Sequence, residues 1–252
     1  MIKQGDCLEL MKEIPDGSVD MILTDPPFGT TSCAFDVRIP FEPMWEQFKR
    51  VTKFNAAILL FSQMPFGAEL IMSNRKMFRY EWIWEKSLGV GFLNAKKMPL
   101  RCHENILVFY RKLPTYNPQF TKGKPLNKKR RSPKHYNYGS QPLPTTTYDG
   151  EHYCPRDVVF SAPTNSIGSN SEREKNCVHA QQKPVPLLEY LIKTYTNEGE
   201  TVLDATMGSG STGVAAVNTG RKFIGFEKEQ NFFEIAGKRI AEAQAKKAAS
   251  LF

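Results

Sequence analysis

Glu200-Thr201-Val202-Leu203-Asp204-Ala205-Thr206-Met207-Gly208-Ser209-Gly210-Ser211-Thr212-Gly213 reads as a strand, a glycine-rich turn and the start of a helix. Gly208 and Gly210 let the backbone turn tightly and approach a ligand closely. About twenty residues past Asp204, the spacing used by nucleotide-binding βαβ units, the run Lys222-Phe223-Ile224-Gly225-Phe226 ends in Glu227. An acid there can accept both hydroxyls of a ribose. A βαβ crossover whose glycines only permit close packing would carry the same glycines. The spaced acid is what points to a nucleotide.

Nearly two hundred residues earlier, Thr24-Asp25-Pro26-Pro27-Phe28-Gly29 closes the apolar run that starts at Val19. The prolines have fixed φ and no N–H, so they stop the strand and leave carbonyl oxygens beside a carboxylate and an aromatic ring. Such a cluster suits gripping a flat ring bearing an amino group. A strand end followed by a turn would look the same.

Asp25-Pro26-Pro27-Phe28 resembles the D-P-P-[YFW] tetrad of S-adenosylmethionine-dependent amino-methyltransferases acting on DNA. Residues 204–210 are similar to their cofactor loop, commonly D-P-F-x-G-S-G, and Gln182-Lys183-Pro184 resembles the Q-K-P that opens the preceding helix. Tetrad first, variable target-recognition region next and cofactor loop last is the order of the β group of these enzymes. Ala205-Thr206 stands where Pro-Phe is usual, His179-Ala180-Gln181-Gln182 departs from H-P-T-Q, and Phe28 lacks the commoner tyrosine's hydroxyl.

The resemblance implies site-specific methylation of adenine N6 in double-stranded DNA, because Asp-first tetrads accompany adenine and Ser-first ones cytosine N4. A cytosine-N4 enzyme, an RNA amino-methyltransferase and a non-catalytic nucleic-acid-binding module are the alternatives. Protein-glutamine methyltransferases usually begin the tetrad with Asn. By the same resemblance Asp25, Pro26, Pro27 and Phe28 are catalytic, and Asp6, Lys183, Asp204, Thr206, Gly208, Gly210 and Glu227 bind S-adenosylmethionine. Asp6 can equally be a helix N-cap. Phe226 can flank the cofactor's adenine or pack in the core. No metal site is expected, and since some relatives pair, a homodimer is an option.

The chain has 252 residues and a net charge of +8. Between Leu113 and Tyr148 no acid occurs, while Lys122, Lys124, Lys128, Lys129, Arg130, Arg131 and Lys134 supply seven positive charges, close to the whole excess. Tyr116, Phe120, His135, Tyr136 and Tyr138 lie among them, so stacking faces and phosphate-binding cations occur together. A solvated linker would share this composition.

The walk along the chain predicts an α/β fold, a Rossmann-like, doubly wound mixed sheet. The family pattern adds about seven strands, one antiparallel at the edge, and circular permutation. Residues 1–111 form the catalytic half, 112–178 the basic target-recognition insert, and 179–252 the cofactor-binding half. Strands are expected at 1–4, 19–24, 56–62, 80–85, 104–110 and 201–203, with helices at 41–52, 65–74, 184–195 and 230–249. Trp82 and Trp84 share a strand face and are read as sheet packing. Lys86 is read as a solvated lysine near the active-site rim. His103 has no assigned role. Cysteines 7, 33, 102, 154 and 177 form no C-x-x-C pair and are read as reduced packing residues. No run is long and apolar enough to span a bilayer, and the N-terminus lacks a signal-peptide core. A cytoplasmic protein of a bacterial or phage-infected cell is expected.

Overall fold

The computed structural model describes residues 1–30, 36–122, 152–160 and 182–249. These divide into two units, Met1–Asn117 with Asp157–Phe252, and Pro118–Arg156. In the larger unit the strands are β1 (Ile2–Gln4), β2 (Val19–Thr24), β3 (Thr52–Ser62), β4 (Phe78–Val90), β5 (Arg101–Phe109), β8 (Val158–Phe160), β9 (Thr201–Asp204) and β10 (Lys222–Glu227). Its helices are α1 (Cys7–Met11), α2 (Phe41–Val51), α3 (Phe66–Ser73), α4 (Val185–Tyr195), α5 (Ser211–Asn218) and α6 (Gln230–Ala249).

The strands of the larger unit form one eight-stranded sheet in the order β1-β10-β9-β2-β3-β5-β4-β8. Only β5 runs antiparallel to its neighbours. The sheet is thus one strand wider than expected. Val158–Phe160, inside the stretch assigned to the insert, pairs in parallel with β4 at the edge, so the antiparallel strand lies within the sheet.

The central strands are continuous apolar runs because both faces are covered. Along β3, Ala57, Leu59 and Phe61 pack with α4, α5 and α6, while Ile58 and Leu60 pack with α1, α2 and α3. The strand period of two distributes one run between two cores. α2 docks through Met44, Trp45, Phe48 and Val51, spaced as one face of a helix. Trp82 and Trp84 are both buried in the α4–α6 core, as their shared strand face predicts. Trp82 Nε1 donates to the Tyr195 hydroxyl at 2.7 Å, which also meets the Tyr80 hydroxyl at 2.8 Å. Helix α4 is thereby tied to the sheet by polar as well as apolar contacts.

Among the described cysteines, Cys7 is buried, and burial pushes its thiol up to about 11. Cys102 and Cys154 are exposed, so the packing role assigned to them does not hold. In the smaller unit, β6 (Thr121–Lys122) and β7 (His152–Tyr153) form an antiparallel ribbon with Lys122 exposed. Lys124, Lys128, Lys129, Arg130, Arg131 and Lys134 lie outside the described residues. No helix among the described residues is long and apolar enough to cross a membrane.

Candidate active site

The chain moves from β2 to β3 on one side and from β9 to β10 on the other, so β2 and β9 flank a reversal of strand order. Open α/β sheets bind ligands beyond the carboxyl ends of strands at such a point. A cavity of about 440 Å³ lies there. Its walls are the segments that follow β1 (Asp6), β2 (Asp25, Pro26, Pro27), β9 (Thr206, Gly208) and β10 (Glu227, at the strand's end). Positions 6, 25, 204 and 227, distant in sequence, are brought together because parallel strands all end on one edge.

Asp25 stands at the junction of polar and apolar walls. Its Oδ2 accepts a 2.5 Å hydrogen bond from Lys183 Nζ, and its Oδ1 is buried with no hydrogen-bond partner. Lys183 Nζ also lies 3.3 Å from Glu104 Oε2 and 5.0 Å from the centre of the Phe61 ring. Glu104 in turn pairs with Lys86 and accepts from Gln63 Nε2 at 3.4 Å. The four charges alternate, Asp25–Lys183–Glu104–Lys86, and balance. Burial pushes the Asp25 carboxyl up, an effect Lys183 opposes and Glu104 reinforces. Burial alone would also raise Glu104, but Lys183 and Lys86 together hold it below the usual carboxylate range. For Lys183 burial would lower the value, and its two carboxylate neighbours override this and push it up. Lys86 is therefore no solvated lysine. Its side chain is largely covered and pinned by Glu104, whose burial depends on strands β3, β4 and β5 lying side by side.

Asp204 accepts from the Thr24 hydroxyl at 2.7 Å and from the Thr206 amide at 3.2 Å. Thr206 Oγ1 lies 2.8 Å from Thr24 Oγ1 and 3.0 Å from the Asp25 carbonyl oxygen, to which it can donate. The threonine that replaces the family's phenylalanine thus exchanges an apolar wall for a polar brace between the two motifs. Burial raises Asp204 to about 6, against the lowering effect of its hydroxyl and amide donors. A carboxyl raised on folding holds its proton more tightly in the native state. Its stabilising share is complete below about pH 4 and lost as pH rises through about 6. Asp204→Asn keeps the acceptor and removes the titration. The wild type should lose on the order of 2–3 kcal/mol relative to this variant between those pH values in urea unfolding. Parallel curves would refute a buried ionising Asp204.

Glu227 is oriented by two backbone amides, Gly208 N–H to Oε2 at 2.8 Å and Glu229 N–H to Oε1 at 2.9 Å. Each carboxylate oxygen keeps a second lone pair for a ligand hydroxyl. Asp6 is the N-cap of α1, accepting from the Leu8 amide at 2.9 Å, and also lines the cavity. Gly210 also serves packing. It is absent from the cavity lining, and a Cβ there would stand 2.8 Å from the Ala236 Cβ. Phe226 is fully buried in the α1–α3 core, whereas Phe232 of α6 is the aromatic residue on the cavity wall. The Phe28 ring stacks on Phe66 at 5.0 Å, and its carbonyl accepts from Arg38 Nε at 2.7 Å. Sequence reasoning missed Arg38, Phe66, Glu104 and Phe232. Glu104, a lone acid opening an apolar strand, was the one with a readable signal.

Residues 19–238 match the model of a family described as DNA methylase, and the chain belongs to that family, which unites N6 and N4 amino-methyltransferases. It is similar to the type II methyltransferase M.HpaI of Haemophilus parainfluenzae, with 27% identity over 255 residues covering 94% of this chain and 72% of that protein. It is also similar to M.HinfI of Haemophilus influenzae, at 25% identity covering 96% of this chain and 68% of that one. The fold is shared with the M1.HpyAVI–SAM complex (TM-score 0.62, 23% identity, 95% and 98% of the two chains). It is shared equally with the cytosine-N4-specific PvuII DNA methyltransferase (TM-score 0.65, 15% identity, 97% and 91%).

Proposed function

We propose that this chain transfers a methyl group from S-adenosylmethionine to the N6 amine of an adenine flipped out of double-stranded DNA. The observation that supports this best is the buried Oδ1 of Asp25, an acceptor with no partner on the wall of a cavity that also presents Glu227 and Asp6. The cavity falls within the range of small-ligand clefts. Glu227 would take the ribose hydroxyls, Asp6 the adenine amine and the Gly208 backbone the close approach of the cofactor. Thr206 and Asp204 brace that wall. The bound cofactor supplies an electrophilic methyl group.

An exocyclic amine donates its lone pair into its ring and is a poor nucleophile until that pair is localised. Asp25 Oδ1 would accept one amine N–H and favour a pyramidal nitrogen, with Lys183 holding Oδ2. The Pro26 carbonyl would accept the other N–H, and Phe28, backed by Phe66, would support the base. No covalent enzyme intermediate is needed, so positioning and electrostatics supply the acceleration. A base inside a duplex is out of reach, which is why the target must be extruded. The Asp-first tetrad favours adenine as that base.

Incubation with unmethylated DNA and labelled cofactor, then digestion to nucleosides and mass spectrometry, tests the reading. N6-methyladenine supports it. N4-methylcytosine would keep the mechanism and overturn the specificity, and transfer to RNA alone would overturn the substrate. The basic insert would hold phosphates. Replacing Lys128, Lys129, Arg130 and Arg131 by alanine should flatten the log–log salt dependence of DNA binding by roughly 0.9 per lost contact. An unchanged slope would make the segment a linker.

A further inference from the structure

The hairpin between β4 and β5 carries an apolar surface left exposed among the described residues. Phe92 is 76% exposed and Leu93 85%, and Val90, Met98 and Leu100 on the same hairpin are also exposed. Isolated exposed apolar residues are ordinary, but five within one hairpin mark a contact surface. The tip is built rather than loose. Gly91, at φ +90°, starts a 3-10 turn over Phe92–Asn94, closed by Asn94 N–H to Gly91 O at 2.9 Å and Ala95 N–H to Phe92 O at 3.0 Å. Gly89 lets Leu100 pack across the stem, where a Cβ would meet the Leu100 Cβ at 2.8 Å.

Its place relative to the chemistry follows from strand direction. β4 runs parallel to β3 and β2, so its carboxyl end leaves the same sheet edge as Asp25. The stem begins at Lys86 and returns at Glu104, the two residues that continue the charge chain from Asp25 and Lys183. From Lys86 to Val90 an extended chain reaches roughly 13 Å, more than the depth of a DNA groove at about 8.5 Å. Between Glu85 and Glu104 there is no acid, and Lys86, Lys96, Lys97 and Arg101 are cationic. A protein interface core is depleted of charge, whereas an apolar tip flanked by cations matches a polyanion with a stacked apolar interior.

We infer that the hairpin is a wedge for duplex DNA: Phe92 and Leu93 enter the stack at the place vacated by the extruded base, while Lys96 and Lys97 hold flanking phosphates. The inference rests on DNA as substrate and is independent of which base is methylated. The test uses a duplex carrying the methylated site, located by sequencing the reaction product, with the target either paired or opposite an abasic position. The F92A/L93A variant should lose at least about tenfold in turnover on the paired duplex and recover most of it on the abasic one, where extrusion is already easy. Phe92→Trp, which keeps a stacking face, should stay near wild type. Unchanged turnover on the paired duplex, or an equal loss on both duplexes with cofactor binding and melting intact, would overturn the wedge. Conversion of a dimer to a monomer in sedimentation would overturn it in favour of a second copy of this chain. Failure of the base assignment shows only in the nucleoside analysis, so the two readings fail separately.

Discussion

Asp25→Ala should lower methyl transfer by roughly 10³-fold while leaving S-adenosylmethionine affinity within about threefold, the pattern of an interaction made chiefly in the transition state. The structure gives a reason for the second half. Lys183, which loses Asp25 in this variant, keeps Glu104 at 3.3 Å and so stays anchored beside the cavity, although the cluster then carries one excess positive charge. Asp25→Asn should retain the acceptor oxygen but not the charge, and fall between alanine and wild type. Because burial raises the Asp25 carboxyl, wild-type transfer should decline on acidification at a pH above the ordinary aspartate range. Turnover against pH, with binding followed by calorimetry, checks both. Loss of cofactor binding in Asp25→Ala would remove Asp25 from the role given to it.

Gly210→Ala should destabilise the fold by about 2–5 kcal/mol, combining a left-handed backbone with overpacking. Gly210 caps α5 at φ +78°, and a Cβ would lie 2.8 Å from Ala236 Cβ and 2.9 Å from Ala236 Cα, a backbone atom that cannot swing aside. Gly208→Ala is the matched comparison. Its φ is +50° and no atom lies within 4 Å, so the cost to stability should be nearer 1 kcal/mol. Its methyl group would instead stand at the cavity wall and weaken cofactor binding. Urea midpoints and cofactor titration separate the two glycines. Equal stability of Gly210→Ala and wild type would show that the α5–α6 approach is not tight.

Much of this was readable from local pattern. Val19–Thr24 and Gln230–Ala249 agree with their expected limits, because an apolar run stopped by prolines and a long alanine- and charge-rich stretch carry their own boundaries. α1 was too short to show a period, and β8 is three residues whose pairing depends on β4. The site divided in the same way. Asp25, Asp204, Gly208 and Glu227 announce themselves because strand ends and glycine turns are local and the parallel sheet then gathers them.

Hydrophobic period and turn residues within a few positions account for the doubly wound α/β sheet, the strand ends that gather at the cavity and the order of the two motifs. That Lys86 and Glu104 continue a buried charge chain from Asp25 depended on strands meeting across the sheet. The same tertiary contacts put Phe232 rather than Phe226 on the cavity wall, press Gly210 against Ala236, and project the apolar tip of the β4–β5 hairpin from the sheet edge that carries Asp25. Burial and charge pairing are properties of what lies opposite a side chain, and here the opposite residue is tens to more than a hundred positions away.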